Sequence, residues 1–206
     1  MPKGNLVPKP AGLSFEEASC LPTAWLTAYR MLFVKAGVQP GDTVLIQGAG
    51  GGVASAAIAL AREGGLRVWV TSRDPEKGSK AVELGAHEAF ESGARLPERV
   101  DAVLETVGEA TWKHSLRALR PGGTLVVSGS TSGPNPPADL QRVFFLQLNV
   151  IGSTMGTRDE LARLARLCDS SGVRPQIDRV LPLSQAREGF EAMASGDLFG
   201  KIVFTP

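Results

Sequence analysis

The residues with the clearest chemical potential are glycines. A short β-rich run, Thr43–Gln47 (TVLIQ), leads into Gly48-Ala49-Gly50-Gly51-Gly52 and then directly into Val53 and an alanine-rich helical stretch. Glycines at 50, 51 and 52 let the backbone turn sharply and keep Cβ atoms away from a closely bound ligand. A helix beginning at Val53 offers free N–H groups and a partial positive charge in its first turn. Strand, glycine turn and helix N-terminus, in that order, form a cradle for a pyrophosphate. The strict G-x-G-x-x-G spacing is not met, because the best register, Ala49, Gly51 and Ala54, keeps only the middle glycine.

A second group stands about 20 residues further on, where a dinucleotide site places an acid for the ribose 2′-hydroxyl. The chain there reads Val70-Thr71-Ser72-Arg73-Asp74-Pro75-Glu76-Lys77. The acid is missing at Thr71 and Ser72. Ser72, Arg73 and Lys77 suit a 2′-phosphate through charge-assisted hydrogen bonds, so NADP(H) is the expected cofactor. Asp74 is the residue that would restore a preference for NAD, and a solvated loop is the plainer alternative.

These groups sit in a regular alternation. Short apolar runs at Thr43–Gln47, Arg67–Thr71, Glu88–Glu91, Asp101–Glu105, Thr124–Ser128 and Val150–Thr154 read as six strands. Helical stretches at about Val53–Glu63, Asp74–Leu84, Glu109–Leu119, Gln141–Gln147 and Arg158–Ser170 separate or follow them. Pro121-Gly122-Gly123 is expected to turn the chain into the fifth strand. The spacing predicts an α/β fold, a Rossmann-type doubly wound parallel six-stranded sheet with helices on both faces. Ser14 with Glu17 predicts a capping box for a short helix, and a second helix starts at Pro22 and stops at Gly37. Residues 1–13 read as a linker or arm, 14–176 as the dinucleotide-binding domain, and 177–206 as a C-terminal segment with a helix at Ser184–Ala194 and a strand at Lys201–Phe204.

Composition excludes several classes. Of 206 residues 43% are apolar and 21% charged, which suits a globular chain rather than a disordered or collagen-like one. Lys+Arg 22 against Asp+Glu 21 leaves a formal +1, so neither nucleic acid nor an anionic membrane is an expected partner. Cys20 and Cys168 cannot make a disulfide framework, and reduced cytoplasmic thiols are expected. MPKGNLVPKPAG has no apolar signal-peptide core.

The motifs LPTAWLTAYRML (Leu21–Leu32), PGDTVLIQGAGGGVA (Pro40–Ala54), VTSRDPEK (Val70–Lys77), ELGA (Glu83–Ala86), ETVG (Glu105–Gly108), LRPGGTLVVSGSTSG (Leu119–Gly133) and FGKIVF (Phe199–Phe204) together resemble the cofactor-binding half of the medium-chain dehydrogenase/reductase superfamily. That superfamily includes quinone oxidoreductases and zinc alcohol dehydrogenases. The resemblance implies that Thr27 lies near the nicotinamide. It places Val107 and Gly108 in the turn after the fourth strand, Gly129 in the turn after the fifth, and Lys201 in a Gly-Lys pair near the C-terminus. It also implies a catalytic domain preceding this segment in full-length members, to which the tail from Ile177 returns. A zinc ligand of the family falls at Thr23, which binds zinc poorly, so no zinc is expected.

The remaining candidates read as structural. His87 and His114 are expected at the surface or a strand edge, Cys168 as a small buried hydrophobe, Trp25 and Tyr29 as core, and Phe144-Phe145-Leu146 as core or dimer contact. The open edge at Val150–Thr154 points to a homodimer through the sixth strand. The function expected is hydride transfer between NADPH and a small-molecule carbonyl, quinone or activated alkene. The alternative is a nucleotide-binding module without turnover.

Overall fold

The computed structural model describes residues 3–206; Met1 and Pro2 of the expected arm lie outside the described residues. After a 3-10 turn at Lys3–Asn5, α1 spans Phe15–Ser19. The capping box expected at its start is formed: the Glu17 N–H donates to Ser14 Oγ at 3.1 Å, and Ser14 N–H donates to Glu17 Oε2 at 2.8 Å. Helix α2 runs through Leu21–Trp25, Leu26–Tyr29 and Arg30–Ala36, with π-type turns at both ends, and stops at Gly37 in the left-handed conformation.

Six parallel strands follow, β1 (Thr43–Ile46), β2 (Arg67–Ser72), β3 (Glu88–Glu91), β4 (Val100–Glu105), β5 (Leu119–Val127) and β6 (Asn149–Gly152). Their spatial order is β3-β2-β1-β4-β5-β6. The helices between them are α3 (Gly52–Glu63), α4 (Pro75–Leu84), α5 (Glu109–Ala118) and α6 (Leu140–Phe145), and α7 (Arg158–Ser171) follows the last strand. The central strands are buried almost throughout, and successive side chains alternate between two cores. Val44, Ile46, Ala102 and Leu104 face a core shared with α2 and α3, while Leu45 and Val103 face a second core with Leu116 and Leu119. Both faces are therefore covered, as a parallel sheet requires. Every residue of α3 from Ala54 to Ala61 is buried, and six of those eight are Ala or Ser, small enough for the helix to lie close against α2 and the sheet.

Four expectations are corrected. Pro121-Gly122-Gly123 does not precede the fifth strand but bulges inside it. The β4 partner of Leu119 is Val100 and that of Thr124 is Ala102, so three residues of β4 span six of β5. Gly122 takes φ +74° to allow this. The sixth strand begins one residue earlier than expected and ends at Gly152. Finally, an unforeseen strand β7 (Ile177–Pro182) pairs in parallel with β8 (Lys201–Thr205), the two joined through a 3-10 turn and α8 (Ala186–Ser195), as a separate two-stranded sheet. Phe144 and Phe145 are exposed, which removes the core reading for them.

Candidate functional site

The glycine turn sits at the C-terminal edge of the sheet, between β1 and α3. Gly50 has φ +112°, a conformation that L side chains rarely adopt, and a Cβ there would stand 3.0 Å from Lys77 Cδ. Ala49 N–H donates to Thr71 O at 2.8 Å and Gly48 N–H to Thr71 Oγ1, which fastens the turn to β2. The first backbone bond of α3 runs from Ser55 N–H to Gly51 O. The amides of Gly52, Val53 and Ala54 therefore remain without a helical acceptor and carry the positive end of the helix. A Cβ at Gly51 would meet no atom within 4 Å, so space for a ligand lies there.

At the end of β2 the expected rivals separate. Asp74 Oδ1 accepts from Glu76 N–H at 2.9 Å and from Lys77 N–H, capping α4. Its carboxylate is thus committed to the helix. Ser72 Oγ donates to Asp74 O at 2.7 Å. Arg73 is exposed and has no hydrogen bond or ion pair among the described residues. Lys77 Nζ donates to the carbonyl of Gly196.

A cleft of about 600 Å³ brings together six residues singled out in the sequence: Gly50, Gly51, Gly52, Arg73, Lys77 and Lys201. Its far wall is the C-terminal segment. Gly200 N–H donates to Gly50 O at 2.8 Å, and a Cβ at Gly52 would stand 2.6 Å from Lys201 Cδ. Gly129 lines a different cleft, of about 620 Å³, with Arg30, Lys35 and Ser153 at the ends of β5 and β6. Arg30 Nε and Ser153 Oγ are buried there without a hydrogen-bond partner among the described residues. Thr27 is buried in α2, and Val107 packs beside Gly48. Gly108 has φ +96°, and a Cβ on it would lie 2.6 Å from Gly133 O. Ser72, Val53, Thr27, Val107 and Gly108 do not line the cleft of the glycine turn.

Sequence reasoning missed a buried polar network beneath the turn. Glu105 is fully buried. Its Oε1 accepts from Val107 N–H at 2.8 Å and Gly108 N–H at 3.0 Å, and its Oε2 accepts from Ser115 Oγ at 2.6 Å. Thr111 Oγ1 also reaches this carboxylate. Gln47, likewise fully buried, takes Thr71 Oγ1–H on its carbonyl at 2.6 Å and gives its amide to Ser115 and His114. His114 is therefore half-buried inside a helix-to-sheet contact, not a surface or strand-edge residue as expected. The available signal was a polar residue closing an apolar run, in TVLIQ and in DAVLE.

Thr23 stands where the family's ligand is expected, and among the described residues no group of three or more His, Cys, Asp or Glu could hold a metal ion. No helix is long and apolar enough to cross a membrane among the described residues.

Comparison with known proteins matches residues 52–170 to the zinc-binding dehydrogenase family. A zinc-type alcohol dehydrogenase-like protein of Leptosphaeria maculans is 32% identical over 94% of this chain and 59% of its own length. The crystal structure of an NAD-dependent alcohol dehydrogenase superposes with a TM-score of 0.91 at 34% identity, over 100% of this chain and 63% of that one. A 2-octenoyl-CoA carboxylase reductase in complex with NADP and 2-octenoyl-CoA gives a TM-score of 0.90 at 29% identity, over 96% of this chain and 51% of that one. The chain thus spans between half and two thirds of the length of these proteins.

Proposed function

Because this chain belongs to the zinc-binding dehydrogenase family, we propose that it is the NADP(H)-binding part of an oxidoreductase moving hydride between NADPH and a carbonyl, quinone or activated alkene. When bound, the nicotinamide supplies the hydride; the protein supplies binding and orientation. The free amides of Gly52 and Val53 hold the pyrophosphate, with Gly50 and Gly51 giving it room. Arg73 takes the 2′-phosphate with Ser72, and Lys77 joins them by exchanging its bond to the Gly196 carbonyl. Thr27, Val107, Gly108 and Gly129 bound the nicotinamide end. The partnerless Arg30 Nε and Ser153 Oγ beside Gly129 are the polar groups left to receive a ligand atom there. Lys201 braces the glycine turn from the C-terminal segment.

The observation that carries the cofactor preference is the contrast between Asp74 and Arg73. The carboxylate that would accept a ribose hydroxyl caps α4, and the adjacent guanidinium has no partner among the described residues. The proposed units are an arm over 1–13, the cofactor domain over 14–176, and a 177–206 segment that in full-length relatives meets a catalytic domain. We also place a homodimer contact on β6 and the protein in a reducing cytoplasm, a reading that two buried free cysteines support.

The test is a fluorescence titration. Arg73→Ala should weaken NADPH binding by about ten- to a hundredfold, the loss of one charge-assisted phosphate contact, and leave NADH nearly unchanged. Equal losses for both cofactors overturn the assignment. The alternative, binding without turnover, is favoured by the lining of the two clefts, which among the described residues is Gly, Ser, Thr, Arg and Lys with Ala, Pro and larger apolar side chains. Saturable NADPH binding with no oxidation across a panel of quinones, aldehydes and enoyl thioesters selects it.

A further inference from the structure

Away from the two clefts described above, cationic side chains gather around a further concavity. The connection between β3 and β4 folds against the C-terminal half of α5 and leaves a groove of about 430 Å³ lined by Arg95, Arg99, Arg117 and His114. None of its lining residues is shared with the cleft of the glycine turn. Arg95 and Arg117 have no hydrogen bond or ion pair among the described residues, and Arg99 spends one nitrogen on Leu119 O at 3.1 Å. Glu98, the acid in the lining, is already paired with Arg67. His114 spends both ring nitrogens on protein partners, Gln47 Nε2 and the Ala94 carbonyl. Lys113 lies one turn before Arg117 on α5 and is exposed, adding to the same sign.

Three like charges around one hollow repel each other, and surfaces without a ligand to bind normally intersperse the signs. The chain as a whole carries only +1, so this groove holds a local excess that composition does not require. Part of the charge of Arg117 is offset by the negative end of α5, in whose last turn it sits. Arg95 and Arg99 have no such counterpart. Guanidinium forks match the oxygens of phosphate, and the volume suits a small molecule rather than a polymer.

We infer that this groove is a second anion site, separate from the cofactor cleft, which binds a small phosphorylated molecule through Arg95, Arg99 and Arg117.

The probe is inorganic pyrophosphate, titrated into the full chain at low salt and followed by two-dimensional amide NMR. The amides of residues 94–99, 117 and 118 should shift with a saturable curve, while those of Gly50–Gly52 report separately on the cofactor cleft. In an Arg95→Ala/Arg117→Ala variant, apparent affinity at the groove should fall at least about tenfold for each arginine, with the Gly50–Gly52 response unchanged. Both positions are exposed, and an unchanged amide spectrum away from the groove checks that the variant is folded. Groove amides that stay still in the wild-type chain, drift without saturating, or respond equally in the double variant overturn the site. Failure at Gly50–Gly52 alone instead counts against the cofactor reading and leaves the groove supported.

Discussion

Gln47 Nε2 donates to His114 Nδ1 across 2.9 Å, tying the end of β1 to the middle of α5. The bond decides the tautomer of the ring. With Nδ1 accepting, the proton sits on Nε2, which faces the Ala94 carbonyl at 2.9 Å. The same Gln47 nitrogen donates to Ser115 Oγ, and the Ser115 hydroxyl donates to Glu105 Oε2. Four side chains on two strands and one helix thus hold the floor of the glycine turn and the turn at Val107-Gly108 in one arrangement.

Removing Glu105 should be costly, because it leaves two backbone donors and the Ser115 hydroxyl without their acceptor in the protein interior. Glu105→Ala is expected to destabilise the fold by about 3–5 kcal/mol and Glu105→Gln by about 1–2 kcal/mol, since the amide keeps one oxygen for the backbone donors. Urea unfolding followed by circular dichroism measures both. A loss below about 1 kcal/mol for the alanine variant would show that the network contributes little.

Acid should unfold the protein through three paired carboxyls. Burial pushes each of Asp101, Glu160 and Asp178 up. Backbone and guanidinium donors outweigh that: Thr43 and Arg120 for Asp101, Thr157 and Arg30 for Glu160, Phe199 and Arg179 for Asp178. All three stand below their ordinary values. A depressed folded pKa stabilises above the unfolded value and loses that contribution as pH falls through the folded one. Thermal midpoints should therefore be flat near neutrality and drop as pH falls below about 4, where free carboxyls begin to protonate. Arg30→Met should lower the neutral plateau and shrink the acid-induced drop.

The two thiols should be inert in the native state. Burial pushes the Cys168 thiol up to about 11, only partly opposed by Arg174, and raises Cys20 as well. Thiolate is the reacting form. A disulfide-exchange reagent at mildly alkaline pH should label neither cysteine until urea is added, and then both. Rapid labelling of the folded chain would mean that the helices around Cys168 open readily.

The dimer proposed on β6 depends on which amides face outward. Ser153 N–H donates inward to Val127 O at 2.8 Å. Alternation along the strand then aims the N–H of Ile151 inward and those of Val150 and Gly152 at the open edge. Val150→Pro should yield a folded monomer by light scattering, whereas Ile151→Pro should break the ladder to β5 and lower the thermal midpoint. A wild-type chain that is already monomeric at high concentration rules the dimer out.

Local signals in the sequence determined much of this protein. Apolar runs separated by helical periods specified β1 to β4 nearly to the residue, and Ser14 with Glu17 specified a cap that forms as expected. The glycine turn was legible for the same reason, since backbone freedom and a helix start are encoded within a few adjacent residues. Tertiary structure alone decided the partners. Lys77 reads as a phosphate ligand, yet its ammonium is given to a carbonyl 119 residues away. β7 was invisible because its mixed run, IDRVLP, becomes a strand by pairing with a segment beyond the next helix. His114 and Glu105 could not be joined from the sequence, because hydrogen-bond partners depend on which strands become neighbours. That order, β2-β1-β4, is set by packing across the whole sheet.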